Sequence, residues 1–412
     1  MKFETISVVG LGYIGLPTAA VIASNGIRVI GVDVNQHAVD IINQGKIHIV
    51  EPGLEDLVKQ AVQDGHLSAH TSPQKADAFL IAVPTPFKGE DHEPDLKYIE
   101  SASRALAPML EKGNLVVLES TSPVGATEQM AKWLAEERRD LTFPHTVAED
   151  QTPDIFVAHC PERVLPGQVI RELVENDRII GGMDKASTEA ATQVYKMFVK
   201  MGECIATEAR TAEMSKLTEN AFRDVNIAFA NELSLICDQQ GINVWELISL
   251  ANRHPRVNIL QPGCGVGGHC IAVDPWFIVN QNPDTAKLIR AARETNDYKP
   301  KYVVEQAIKA VAGIERPTIA CLGLAFKPDI DDLRESPAVD ITVELVKLGY
   351  NILAVEPNIH ELPAKLRALE NIELTAIEQA MAQADLLLVL VKHKEFIGLP
   401  VNGKALDFVD AL

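Results

Sequence analysis

Between Val9 and Leu16 the chain reads Gly10-Leu11-Gly12-Tyr13-Ile14-Gly15, and the context of this stretch restricts the fold more than any other. The β-branched, apolar run Thr5 to Val9 predicts a strand, Leu16 to Ser24 predicts an alanine-rich helix, and a second strand, Arg28 to Val32, ends at Asp33. A lone G-x-G-x-x-G is weak, because glycine is common. Set between strand and helix and trailed by an acid, it predicts a βαβ unit that binds a dinucleotide. Gly10 permits the tight turn, Gly12 lets backbone amides approach a pyrophosphate at the helix N-terminus, and Gly15 lets helix and strand pack closely. Asp33 would accept hydrogen bonds from the adenosine ribose and repel an added 2'-phosphate, so the expected cofactor is NAD rather than NADP.

Parallel α/β organisation continues. A strand from Ala78 to Val83 runs into Pro84-Thr85-Pro86, and another from Leu115 to Glu119 runs into Ser120-Thr121-Ser122-Pro123-Val124-Gly125. Ligands bind at the carboxyl ends of such strands, which makes Thr85, Thr121 and Thr127 candidate contacts; ordinary turn and N-cap chemistry is the competing account of each. In His159-Cys160-Pro161-Glu162-Arg163-Val164-Leu165-Pro166-Gly167, Glu162 and Arg163 read either as a solvated ion pair or as a water-activating carboxylate beside an anion-binding guanidinium. From Thr211 to Gln240 the spacing predicts one long helix, on which Lys216, Asn220 and Arg223 share a face. A shorter helix, Val244 to Asn252, and a helical segment around Thr285 to Lys309 follow; then a strand, Thr318 to Leu324, a helix, Ala338 to Leu348, and strands Asn351 to Val355 and Leu386 to Val391. The second βαβ region has no second G-x-G-x-x-G. The fold class is therefore α/β, with two Rossmann-like doubly wound domains joined by a long central helix. The expected divisions are residues 1–205, 206–300 and 301–412.

The remaining conspicuous stretch is Pro262-Gly263-Cys264-Gly265-Val266-Gly267-Gly268-His269-Cys270-Ile271-Ala272-Val273-Asp274-Pro275. Its glycines remove side chains where a ligand or backbone must come close, and Cys270 follows them with a carboxylate four residues beyond. Such a loop suits a thiol held near a substrate, although burial is the commoner fate of cysteine. Six cysteines spread over 412 residues, without C-x-x-C pairs or His-rich spacing, predict neither a disulfide framework nor zinc. The net charge of -19 argues against a nucleic-acid surface. The amino terminus enters a strand directly and no apolar run is long enough to span a bilayer, which predicts a cytoplasmic protein.

Together these motifs resemble the nucleotide-sugar 6-dehydrogenases, the UDP-glucose/UDP-N-acetylhexosamine dehydrogenase superfamily. The resemblance rests on GLGYIGLP, PTPF at 84–87, ESTSPVG at 119–125, CPERVLPG at 160–167, AEMSKLTEN at 212–220, GVGGHCIAVDP at 265–275 and GLAFKPDIDDLRESPA at 323–338. HPRVNILQPG and PTPFKGEDHEPD are most similar to the bacterial branch that oxidises UDP-N-acetyl-D-mannosamine for enterobacterial common antigen, with Cys264 standing where proline is expected. The resemblance implies two NAD-dependent oxidations at C6 of a UDP-sugar, with Cys270 as nucleophile, Lys216 and Asn220 beside the reacting oxygen, and Asp274, Glu162 and Thr121 handling water and protons. It places Gly10, Gly12, Tyr13, Ile14, Gly15, Asp33, Thr85, Thr127 and Arg334 at the NAD. Around the UDP-sugar it places Arg163, Val164, Lys216, Asn220, Arg223, Arg256, Asn258, Gly265 and Lys327. A homodimer through the central helix is expected. A two-electron hydroxy-acid dehydrogenase has no use for the Cys270 loop, a non-catalytic NAD sensor none for Lys216, Asn220, Cys270 and Asp274, and a cysteine hydrolase would lack a placed imidazole base, His269 being read as structural or at the substrate's edge.

Overall fold

The computed structural model describes residues 2–89, 91–148, 151–165, 167–268, 270–401 and 403–412. The chain falls into two compact units, Met1–Thr218 and Glu219–Leu412.

In the first unit, β1 (Thr5–Val9), β2 (Arg28–Val32), β3 (Leu67–His70) and β4 (Ala78–Ile81) precede a small hairpin of β5 (Phe87–Lys88) and β6 (Glu93–Pro94). Then come β7 (Leu115–Leu118), β8 (Phe156–His159), β9 (Arg178–Gly182) and β10 (Cys204–Glu208). Apart from the hairpin they form one sheet in the order β10-β9-β8-β7-β4-β1-β2-β3. Leu115 and Val117 of β7 enter the core on one face while Val116 and Leu118 enter a second core on the other. Helices therefore cover both faces, and the inner strands read as unbroken apolar runs rather than alternating ones. Because β1 pairs with β2 on one side and β4 on the other, the strand order reverses beside it. That reversal is where doubly wound sheets take ligands, at the carboxyl ends of the strands.

The expected all-parallel pattern breaks at one place: β9 runs antiparallel to β8, with Ala158 opposite Gly182. The intervening helix, Val169–Glu175, has 7 residues.

The second unit holds β11 (Thr318–Leu322), β12 (Asn351–Val355), β13 (Ile372–Leu374), β14 (Leu386–Val389) and β15 (Ala405–Asp407), all parallel, in the order β13-β12-β11-β14-β15. Its first turn repeats that of the first unit without the three-glycine signature. Gly10 N donates to Val32 O and Leu11 N to Asp33; correspondingly Gly323 N donates to Val355 O and Leu324 N to Glu356. Both glycines sit at φ 92. Glu356 differs from Asp33 in being buried against His393, 2.9 Å away.

The central helix runs Ala209–Gln240, two residues longer at its start than expected. Its 32 residues contain neither glycine nor proline and span about 48 Å. Gly241, at φ 67, ends it, and Ile242 N closes back on Cys237 O at 2.9 Å.

Candidate active site

The glycine loop after β1 has the geometry that a dinucleotide needs. A Cβ on Gly10 would lie 2.4 Å from Ala82 O and one on Gly15 1.7 Å from Gly10 O, so these two glycines let strand, turn and helix close together. Nothing lies within 4 Å of a Cβ built on Gly12, which leaves that side open. Tyr13 and Ile14 complete the turn, and no side chain caps the helix that starts at Gly15, so its N-terminus suits an anion. Leu11 N and Asn35 N each donate to a different Asp33 oxygen at 2.9 Å, fixing the carboxylate at the end of β2. The buried Thr85 Oγ1 has no partner among the described residues, as expected of a hydroxyl that a ligand completes. These residues fit NAD.

Thr127, expected among the cofactor contacts, is bonded to Glu213. It is fully buried, and its backbone N and its Oγ1 donate to Glu213 Oε1 at 2.8 and 2.6 Å. Gly125 N donates to the other Glu213 oxygen at 2.7 Å. Glu213 thus anchors the start of helix Ala126–Glu137, whose N-cap is Gly125 and whose second residue is Thr127. Thr121 lies half-buried in the turn between them, which Ser120 staples to Val83 through bonds of 2.9 and 2.7 Å.

Glu162 and Arg163 are not a solvated pair. Glu162 is buried and accepts from Arg178 Nη1 and from Arg163 N, both at 2.7 Å. The Arg163 guanidinium donates to Asp177 O at 3.3 Å, and Val164 packs on the apolar core. Beside this pair Tyr195 donates to Glu119 Oε1 at 2.5 Å, while Glu119 Oε2 is buried with no partner among the described residues. Burial, and then the charge of Glu162, raise the Glu119 carboxyl to about 7. In the unfolded chain it ionises near 4.5, so the neutral folded form contributes stability below that pH and loses it as pH rises to about 7. Glu119→Gln is expected to remove a slope of about 1.4 kcal/mol per pH unit across that window in urea unfolding midpoints. An unchanged slope would place the titration elsewhere. Neither Glu119, Tyr195, Arg178 nor Glu213 was singled out by sequence.

In the second unit the cysteine loop is threaded through tight packing. Cys264 is buried with Val303, Val304 and Ile319, and burial pushes its thiol up to about 12, so it is inert. Gly267 could not carry a Cβ, which would fall 2.4 Å from Glu335 O; at Gly268 (φ 85) it would fall 3.2 Å from the Phe326 ring. Gly265 passes Pro300 and Pro337 as closely. Cys160, Cys237 and Cys321 are buried and Cys204 is partly so; Cys270 alone is exposed. Its carbonyl accepts from Val273 N and Asp274 N, placing it one turn before helix Asp274–Gln281, whose buried Asp274 accepts from Asn220 Nδ2. Burial and the neighbouring Arg223 lower the ammonium pKa of Lys327, against an opposing pull from Cys270. Cys270 therefore lies within electrostatic reach of the Lys327 ammonium, and a neighbouring cation is what favours the thiolate form of a cysteine.

Of the other expected substrate residues, Arg256 and Asn258 are exposed in the turn after helix Val244–Ala251. Half-buried Lys216 stands one helical turn before Asn220. Arg334, expected at the cofactor, forks onto Asp332 at 2.8 and 2.6 Å. Pro166 and His269 lie outside the described residues.

The sequence matches three successive profiles of the UDP-glucose/GDP-mannose dehydrogenase family: the NAD binding domain over residues 4–199, the central domain over 210–298 and the UDP binding domain over 320–406. It is 68% identical over 397 residues to the UDP-N-acetyl-D-mannosamine dehydrogenase of Campylobacter jejuni, covering 96% of this chain and 97% of that one. Identity to the NDP-N-acetyl-D-galactosaminuronic acid dehydrogenase of Ralstonia nicotianae is 65% over 398 residues, 96% and 92% of the two chains. Among solved structures, the UDP-N-acetyl-mannosamine dehydrogenase of Staphylococcus aureus aligns with TM-score 0.84 at 43% identity, covering 96% of this chain and 90% of that one.

Proposed function

Because this chain belongs to the UDP-glucose/GDP-mannose dehydrogenase family and is an NAD-dependent oxidoreductase, we propose that it oxidises C6 of UDP-N-acetyl-D-mannosamine to the uronate, with Cys270 as the covalent catalyst. The observation that carries the reading is Cys270 itself, exposed where the other thiols are buried or partly so, within electrostatic reach of Lys327 and one turn before the Asn220–Asp274 pair.

NAD, when bound by the glycine loop and Asp33, accepts a hydride from C6 in each of two successive oxidations, and the overall change consumes one water and releases three protons. In the first, a base takes the hydroxyl proton while Lys216 and Asn220 stabilise the negative charge developing on oxygen. The Cys270 sulfur then bonds to the aldehyde carbon, and the carbonyl oxygen takes up a proton to give a thiohemiacetal. The second oxidation turns this into a thioester. Water adds to the thioester carbon, the C–S bond breaks, and the thiolate returns as the uronate leaves; Asp274, Glu162 and Thr121 are assigned to that water and its proton. Arg163, Val164, Arg223, Arg256, Asn258, Gly265 and Lys327 are assigned to the UDP-sugar.

The galactosaminuronic relative, nearly as similar, supports a second substrate reading. Turnover of UDP-N-acetyl-D-mannosamine, UDP-N-acetylgalactosamine, UDP-N-acetylglucosamine and UDP-glucose side by side separates them: a kcat/KM highest for the mannosamine sugar is expected, and preference for the galactosamine sugar would reassign the substrate. The product is expected to feed surface polysaccharide such as enterobacterial common antigen. No helix among the described residues is long and apolar enough to cross a membrane, and the protein is expected in the cytoplasm.

A homodimer through the central helix is supported by Phe222, Phe229 and Ile236, exposed by 70%, 53% and 41% at seven-residue spacing along one stripe. Phe222→Glu with Phe229→Glu is expected to halve the mass seen by light scattering. A wild-type monomer at assay concentration would remove the dimer.

A further inference from the structure

The face of the central helix that carries Asn220 also carries Asp224, Asn231 and Ser234, at successive helical spacings, and all four are buried. Opposite them stand Arg293, Asn296 and Lys299 of helix Lys287–Ala310, also buried. Buried polar side chains along a helix seam are costly unless each finds a partner, and here they form a directed chain. Arg293 Nη1 donates to Asp224 Oδ1 at 2.6 Å, and Asn296 Nδ2 donates to the same oxygen at 2.8 Å. Asn231 Nδ2 donates to Asn296 Oδ1 at 2.9 Å, which turns the Asn231 oxygen outward along the chain. That oxygen accepts from Gly263 N at 2.9 Å, at the start of the cysteine loop. Ser234 bonds to the Asn231 carbonyl at 2.6 Å and accepts from Lys299, completing the seam without reaching the loop.

The loop from Gly263 to Asp274 is thus gripped at both ends by one helix. Asn220 holds Asp274 and Asn231 holds Gly263, and the two asparagines lie 11 residues, about three turns, apart. Between the grips the glycines pass Pro300, Pro337, Phe326 and Glu335 with no room for a side chain at Gly267. Cys264 packs into the apolar core next to the Gly263 grip, so the loop enters its close-packed glycine stretch from a fixed start and leaves it at a fixed end.

We propose that Asn231, oriented by the Asn296–Asp224–Arg293 chain, is a positioning residue that sets the register of the cysteine loop and hence the reactivity of Cys270. The inference rests on Cys270 being the nucleophile. Misplacement of a reacting group by about 1 Å costs on the order of 100-fold in rate, so loss of the second grip should appear in the chemistry rather than in binding.

The test measures the rate of Cys270 alkylation by iodoacetamide, read by mass spectrometry of the modified peptide, together with kcat and KM. The proteins compared are wild type, Asn231→Ala, Asn231→Asp, Asn296→Ala and Ser234→Ala. Asn231→Ala is expected to lower both the alkylation rate and kcat by about 10- to 100-fold, with the UDP-sugar KM changed by less than about twofold. Asn231→Asp keeps the oxygen that accepts from Gly263 and should recover part of the loss; Asn296→Ala should show an intermediate loss. Ser234→Ala, buried in the same seam but without a bond to the described residues of the loop, should lower the melting temperature and leave the alkylation rate near wild type. Wild-type alkylation and kcat in folded Asn231→Ala would overturn the inference, as would equal losses in Ser234→Ala at equal melting temperature. Should Asn231→Ala not fold, Asn231→Asp and Asn296→Ala carry the same comparison. Failure of wild-type Cys270 to react in preference to the other thiols would instead overturn the nucleophile assignment itself.

Discussion

Cys270→Ser is expected to lower the rate of uronate formation by at least about 1000-fold while leaving UDP-sugar and NAD binding within a few fold of wild type. The argument is chemical. A serine hydroxyl at this place lacks the acidity that a cation such as Lys327 exploits in a thiol. Binding should survive, because Cys270 is exposed at the end of a loop whose shape comes from glycines and from the contacts of its two ends. Stopped-flow NADH formation with purified sugar nucleotide, beside calorimetric titration of the UDP-sugar, checks both halves. Near-wild-type turnover by the serine variant would leave Cys270 without a covalent role.

Arg293→Ala should be the most destabilising of the simple substitutions in the second unit, by about 3–5 kcal/mol in urea unfolding. Arg293 and Asp224 are almost entirely removed from solvent, at 2% and 0% side-chain exposure, and removing the cation strands a buried carboxylate. Burial already raises the Asp224 carboxyl above its ordinary range, and Arg293 opposes that rise. Without Arg293 the folded form would bind a proton more tightly than the unfolded chain does. Stability is then retained at low pH and lost as pH rises through the raised value, so the deficit should be larger at pH 8 than at pH 5. Asp224→Asn combined with Arg293→Met should recover most of the loss: it removes both charges and keeps the oxygen that accepts from Asn296. A double variant as unstable as Arg293→Ala would show that packing, rather than the stranded charge, dominates.

The parts legible in the sequence are those that local backbone chemistry dictates. Gly10, Gly12 and Gly15 fall at fixed spacing between a strand and a helix, and Asp33 closes a strand whose apolar run is contiguous, so the dinucleotide turn could be read directly. The central helix was legible because no breaker interrupts it before Gly241. The cysteine loop stood out because its glycines are dense, and Gly267 does prove intolerant of a side chain. What escaped is long-range and polar. Tyr195 reaches Glu119 across 76 positions and Glu213 reaches Thr127 across 86, and neither pairing leaves a periodic trace in either partner's neighbourhood. The Glu162–Arg178 pair is nearer, but adjacency drew attention to Arg163 instead. The run of β9 against the parallel grain is a pairing between strands, a property that motif reading does not weigh. The repeat of the dinucleotide turn at Gly323 and Glu356 was likewise hidden, because the second unit keeps the backbone hydrogen bonds of that turn without its glycine spacing.

The central claim is a four-electron oxidation that passes through a bond to Cys270, and the measurement closest to it is the amount of NADH formed per molecule of UDP-N-acetyl-D-mannosamine consumed, with the product identified by mass. Two NADH per sugar, a uronate product and no free aldehyde are expected, with a sugar adduct on Cys270 trapped by rapid acid quench. One NADH per sugar with aldehyde released into solution would contradict the account.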